Sequence, residues 1–204
     1  VVLATGYFDQ PARLGVPGEE LPHVHHYYDE PFRFAGTDVV VVGGRNSAVE
    51  AALDLYRHGA RVLLVHRGPT LSPGVKYWIL PDCENRIKAG QIQAAFNTTI
   101  AEITEEHVVL SRANARQHHR ADSVFILVGF GPDSRLLRDA GVHLDPLTLA
   151  PAADPSTLET NVPGLFVAGS VVAGKETNKI FVENGRQHGT VIVEALLRSR
   201  TSFS

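Results

Sequence analysis

Between a run of four valines and an apolar helical pattern stand Gly43-Gly44-Arg45-Asn46-Ser47-Ala48. A glycine-rich turn in that position brings backbone close to a ligand. The helix that follows then presents free N–H groups and a partial positive charge, which suit a phosphate. Strand, glycine turn and helix together are the setting in which such a turn binds the pyrophosphate of a dinucleotide. Ala48 is small enough for close helix–strand packing. One position departs from the usual pattern: Arg45 stands where a second glycine is expected, and its side chain either points away or folds over the phosphates. The plainer alternative is an ordinary strand-to-helix turn.

The end of the next strand refines the expectation. An NAD site places an acid there for the ribose 2′-hydroxyl. This chain has His66-Arg67 instead, and a cationic pair suits a 2′-phosphate, so NADPH is expected over NADH. The alternative is a simple exposed basic pair. Lys76 is a candidate further cation.

Other reactive residue types carry less. Cys83 lies between Asp82 and Glu84, and acids raise a thiol pKa, so a packing role is expected. His23, His25 and His26, with Asp29, match no zinc spacing; solvated or aromatic-packed histidines are expected. His118-His119 receives no role. Trp78 beside Tyr77 is read as an anchor for the loop after the second strand.

These residues need elements to hold them. Val39–Val42 is apolar on both faces, as in a covered parallel strand. Val49–His58, opened by Asn46-Ser47-Ala48, has a helical period closed by Gly59. Arg61–His66 is a second strand, which completes a βαβ unit. A helix is expected over Pro81–Gly90, with strands at Gln91–Phe96, Thr99–Ile103, Val108–Leu110, Val124–Val128 and Leu165–Ala168. Val1–Ala4 reads as the end of a strand, 9–30 as a surface connection and 112–120 as a polar loop. A long amphipathic helix is expected over roughly 178–198. The class is α/β.

The composition fits a packed globule: 204 residues, 44% hydrophobic and 20% charged. A net charge of −3 gives no nucleic-acid footprint, and no apolar run is long enough for a bilayer. A single cysteine forbids an internal disulfide and suits a reducing compartment or simply a protein that uses no disulfides; a cytoplasmic location is expected. The chain has no methionine and starts in mid-strand, so a piece of a longer protein is expected.

Several motifs occur in a fixed order: Ala4-Thr5-Gly6, the turn through Asn46-Ser47-Ala48-Val49-Glu50, His66-Arg67, Gly129-x-x-Pro132, and Thr160 through Gly169. Over nearly its whole length the chain resembles the thioredoxin-reductase-like flavoproteins. Lys76-Tyr77-Trp78, Pro81-Asp82, Asn85-Arg86-Ile87 and Ile180 through Arg186 resemble the bacillithiol-disulfide-reductase branch. The resemblance implies a Rossmann-like three-layer NAD(P)-binding domain inserted in an FAD/NAD(P)-binding domain, only the C-terminal part of which is present. On that map 1–10 ends the first FAD segment, 11–30 is a hinge, 31–128 binds NADPH, and 129–204 is the returning FAD segment. Gly129, Gly169, Ser170, Lys179 and Ile180 are the flavin-side positions it implies, with the last helix's N-terminus under the flavin.

The activity so implied is transfer of hydride from NADPH to FAD and on to a low-molecular-weight disulfide or a redox protein, through a cysteine outside these residues. A homodimer or homotetramer is left open. Three features depart from the family pattern. The N-terminal FAD glycine motif is absent. There is no Cys-x-x-Cys before the NADPH turn, so a dithiol relay is excluded. Ser170 replaces the usual aspartate and would hold a ligand more weakly. No residue of this chain is assigned as a catalytic acid or base. Two other readings stand beside this one: a ferredoxin/flavodoxin–NADP reductase, and a non-catalytic NADPH-binding module.

Overall fold

The structure is a computed structural model; it describes residues 1–8, 10–113, 115–176 and 179–201. The chain divides into two compact units, one of Pro11–Gly129 and one of Val1–Gln10 with Phe130–Ser204.

In chain order the strands are β1 (Val2–Leu3), β2 (Gln10–Pro11), β3 (Val24–His25), β4 (Asp38–Val42), β5 (Arg61–His66), β6 (Gln93–Phe96), β7 (Thr99–Ile103), β8 (His107–Arg112), β9 (Ala115–Arg120), β10 (Ser123–Ile126), β11 (Phe130–Gly131) and β12 (Phe166–Val167). The helices are α1 (Asn46–Arg57), α2 (Leu80–Lys88), α3 (Arg135–Asp139), α4 (Val182–Gly185) and α5 (Gln187–Thr201).

In the unit Pro11–Gly129, five strands form a sheet in the order β3-β10-β4-β5-β6, and every pairing is parallel. The valines of β4 show why it lies at the centre. Val39 and Val41 pack toward α1 with Val62, Leu64, Phe125 and the apolar stripe Ala48, Val49, Ala52 and Leu55. Val40 and Val42 point the other way, onto Ile100, Ile103, Val108 and Leu110. Side chains alternate along a strand, so a run of β-branched residues requires cover on both faces. Burying each such valine contributes about 1.5–3 kcal/mol. The cover on the second face is an antiparallel sheet, β7-β8-β9. Helices, parallel sheet and antiparallel sheet make the three layers expected.

Two local expectations are corrected here. Residues 115–120, read as part of a polar loop, form β9, paired with β8 from His107↔Arg120 to Arg112↔Ala115. Within residues 9–30, read as a surface connection, Val24–His25 form β3, whose Val24 pairs with Val124. In both places backbone pairing places a strand that the side chains do not announce.

In the other unit, β1 pairs with β12 in parallel, Val2 opposite Phe166 and Leu3 opposite Val167. Its core is made of two small clusters, one around Leu137, Val167 and Val171 and one around Leu158, Phe166 and Ile192. The terminal helix starts at Val182 and is interrupted at Arg186, later than the expected start at Asn178, which lies outside the described residues. The cause is Asn184. Its side chain accepts the Phe181 N–H at 2.7 Å and donates to the Lys179 carbonyl at 2.8 Å, which holds residues 179–181 as a loop. Among the described residues, no helix is long and apolar enough to cross a membrane.

Candidate functional site

The turn after β4 is shaped by close approach. Gly43 has φ +149°, and a Cβ there would lie 2.5 Å from the Leu127 carbonyl oxygen and 2.6 Å from the Ala48 Cβ. Only glycine facing alanine lets α1 start this close to the sheet. A Cβ on Gly44 would strike the His66 imidazole, and the Gly44 carbonyl accepts the Ser72 N–H at 2.9 Å. Arg45 is extended and caps α1 without a side-chain hydrogen bond to it. Val49 is the first residue whose N–H bonds back along the helix, to the Arg45 carbonyl at 3.0 Å. The N–H groups of Asn46, Ser47 and Ala48 therefore project from the end of α1 with no partner among the described residues. Such a helix end binds anions.

The cations around this turn differ from the expected set. His66 is wedged between Gly44 and Gly68, where a Cβ would lie 2.8 Å from Nε2. Burial, and after it the Arg67 charge, lower its pKa below the ordinary histidine value. Burial thus opposes charge on the imidazole, and Arg67 is the stronger cation of the expected pair His66-Arg67. Lys76 is not a spare cation either. Its ammonium binds Glu50 at 2.6 Å, and its N–H donates to the Asn46 Oδ1 at 2.8 Å. The cations left exposed beside the turn are Arg45 and Arg67, neither of which makes an ion pair among the described residues.

The second set of expected residues lies in the other unit. Gly169 has φ +72°, with nothing within 4 Å of where a Cβ would sit. Its N–H donates to the His188 Nδ1 at 3.0 Å. Ser170 lies beside Gly6, its Oγ 3.8 Å from a Cβ placed there. A Cβ on Gly185 would lie 3.1 Å from the Ile180 Cγ2 and 3.6 Å from the Gly169 Cα, so Ile180 and Gly169 both border Gly185. Lys179 is exposed and paired with Glu176 at 2.6 Å. The Gly129 carbonyl accepts the Ala12 N–H at 2.9 Å.

The remaining reactive types behave as packing groups. Cys83 is fully buried, and burial, reinforced by Asp82 and Glu84, pushes its thiol up to about 11. His25 packs on Phe125 at 4.9 Å and near Phe34 at 5.8 Å. Among the described residues, no group of three His, Cys, Asp or Glu side chains could hold a metal. Trp78 and Tyr77 do not anchor their loop, since both are exposed. The loop is tied down instead by the hydrogen bonds of Ser72 to Gly44 and of Lys76 to Asn46.

Sequence reasoning missed Glu50, Ser72 and His188. Glu50 had a usable signal, since it lies one turn after Asn46 on the same helix face. Ser72 acts through its backbone, and His188 lies far along the chain from Gly169; neither had one.

Comparison with known proteins follows the same outline. Residues 1–169 match the pyridine nucleotide-disulphide oxidoreductase family. The chain is 45% identical to bacilliredoxin reductase Bdr of Bacillus subtilis over 190 residues, which covers 92% of this chain and 58% of the relative. It is 30% identical to a ferredoxin–NADP reductase of Ignicoccus hospitalis, covering 84% of this chain and 55% of the relative. Bacillithiol disulfide reductase Bdr from Bacillus cereus superposes with a TM-score of 0.92 at 42% identity, covering 95% of this chain and 60% of that one. The chain thus spans about three-fifths of the length of these relatives.

Proposed function

Taking as premise that the chain belongs to the pyridine nucleotide-disulphide oxidoreductase family, we propose that it is part of an NADPH-dependent FAD reductase of low-molecular-weight disulfides. The unit Pro11–Gly129 is the NADPH-binding domain of that reading, and the other unit carries the returning part of the flavin domain. The observation that carries it is the end of α1, where the N–H groups of Asn46, Ser47 and Ala48 have no partner among the described residues, with Arg67, just after β5, also unpaired among them.

The residues present fit the dinucleotide. Gly43 and Gly44 admit backbone to the pyrophosphate, the three N–H groups donate to it, and Arg67 meets the 2′-phosphate. His66 fixes the shape of the turn by filling the space between Gly44 and Gly68, and Asn46 holds the 72–76 loop against it. For the flavin, the open face at Gly169 leaves room for a ligand, with Ser170 next in the chain and Ile180 meeting Gly169 at Gly185; Lys179, next to Ile180, is the further residue assigned to this side. Because the Gly169 N–H is already given to His188, the hydroxyl of Ser170 is the donor assigned to the flavin side. When both are bound, NADPH supplies hydride and FAD relays the two electrons to the acceptor. Within this chain Cys83 takes no part, since a buried thiol with a raised pKa is inert. We also place the protein in the cytoplasm, where a chain without disulfides is at home.

The test is calorimetry of the 204-residue chain with NADP⁺ and NAD⁺. NADP⁺ binds more tightly, and Arg67→Ala lowers the NADP⁺/NAD⁺ affinity ratio about tenfold, the size of one charge-assisted phosphate contact. An unchanged ratio in Arg67→Ala overturns the 2′-phosphate assignment.

A further inference from the structure

Trp78 and Tyr77 are 62% and 82% exposed, beside the phosphate turn. Exposed aromatics of this size bury no core surface, and large rings left in water mark binding surfaces. The pair is also ordered. The rings meet edge to face at 4.9 Å, and the Lys76 ammonium lies 5.9 Å from the Trp78 ring centroid. That ammonium is itself fixed on Glu50, one turn after Asn46 on α1. The Ile79 N–H donates to the Lys76 carbonyl at 2.9 Å and closes the turn that carries both rings. The rings thus stand on a scaffold that is bound, through Asn46 and Gly44, to the anion-binding end of the helix.

We propose that Trp78, braced by Tyr77, is the stacking platform for the adenine ring of the bound dinucleotide. The inference rests on the dinucleotide reading and deepens it. The chain from Arg67 to Trp78 is one connection, between β5 and α2. At its start Arg67 is assigned to the phosphate on the adenosine ribose, and at its end stands an exposed indole. Adenine is bonded to that same ribose, so the base falls to this connection and the nicotinamide end does not. An indole is the strongest stacking partner among the side chains, and stacking on a base is worth about tenfold or more in affinity. The neighbouring Lys76, neutralised by Glu50, orients the indole without adding a free charge next to the base.

Trp78 is the only tryptophan of the chain, so its fluorescence reports on this site alone. The 204-residue chain is titrated with NADP⁺, with adenosine 2′,5′-bisphosphate, which lacks nicotinamide, and with nicotinamide mononucleotide, which lacks the purine. NADP⁺ and the bisphosphate quench Trp78 and the mononucleotide does not. In calorimetry Trp78→Leu weakens bisphosphate binding about tenfold, while Trp78→Phe, which keeps a ring, stays within about threefold. If the bisphosphate binds with Arg67-dependent affinity yet leaves Trp78 emission unchanged, and Trp78→Leu binds it as tightly, the stacking proposal is overturned and the dinucleotide reading stands. Quenching by the mononucleotide alone moves the platform to the other end of the cofactor and also overturns it. If neither NADP⁺ nor the bisphosphate binds, the dinucleotide reading itself falls, and the platform with it.

Discussion

The two units bury apolar surface in different ways. In Pro11–Gly129 the central strand is sealed on both faces, and its valines are all but inaccessible to solvent. In the other unit Val2, Val182 and Val193 lie exposed around two small apolar clusters. The same contrast holds for the positive-φ glycines at the two sets of site residues. Gly43 is enclosed by Leu127 and Ala48, whereas Gly169 faces open space. Close packing therefore fixes the phosphate turn, whereas the Gly169 turn is held by its left-handed backbone and the hydrogen bond to His188, with no packing against its open face. A site built by packing is intolerant of one added methyl group; a site built by conformation pays only for the backbone strain.

The largest effect that separates the units follows from this. Gly43→Ala should cost about 3 kcal/mol in stability, strain and overpacking combined. Gly169→Ala should cost about 1 kcal/mol, from its left-handed backbone only. Chemical denaturation of the two variants measures both. Equal losses would erase the distinction.

A smaller effect distinguishes the units by pH. His25, His26 and His66, all in Pro11–Gly129, have pKa values lowered first by burial. A histidine whose folded pKa is depressed binds fewer protons folded than unfolded. Its stabilisation is full above the unfolded value near 6.5 and is lost as pH falls below it. In the other unit the lowered groups are the carboxylates Asp133, Asp145 and Asp154, held down mainly by hydrogen bonds. Their contribution is lost only as pH falls below about 4. Between about pH 6.5 and about pH 4.5, the opening free energies read from amide exchange, corrected for the pH dependence of the intrinsic rate, should therefore fall in Pro11–Gly129 and hold steady in the other unit. An equal fall in both would remove this difference.

How legible each part was in the sequence tracks the same physics. β4, α1 and β5 were readable because their apolar residues recur with the period of the element that buries them. β9 was not, because Ala-Arg-Gln-His-His-Arg has no apolar face. It is an edge strand held by backbone pairing to β8, and its polar side chains protect that edge. β3 was hidden for a related reason: two residues that pair with β10 carry too short a pattern to detect. At the candidate site, the glycine turn and Arg67 could be read from residue type and position. The charge state of His66 could not, since it depends on burial between two glycines. Nor could the pairing of Lys76, whose partner Glu50 lies 26 positions earlier. The start of the last helix was misplaced because Asn184 acts on the loop before it, through a contact that periodicity does not express.

The central claim is that the end of α1 receives the pyrophosphate of NADPH. Backbone amide spectra of the isotopically labelled chain, recorded without and with NADP⁺, test it most directly. The resonances of Asn46, Ser47 and Ala48 should move most, because their N–H groups pass from water to a phosphate. Binding that shifts other amides and leaves these three in place would contradict the account.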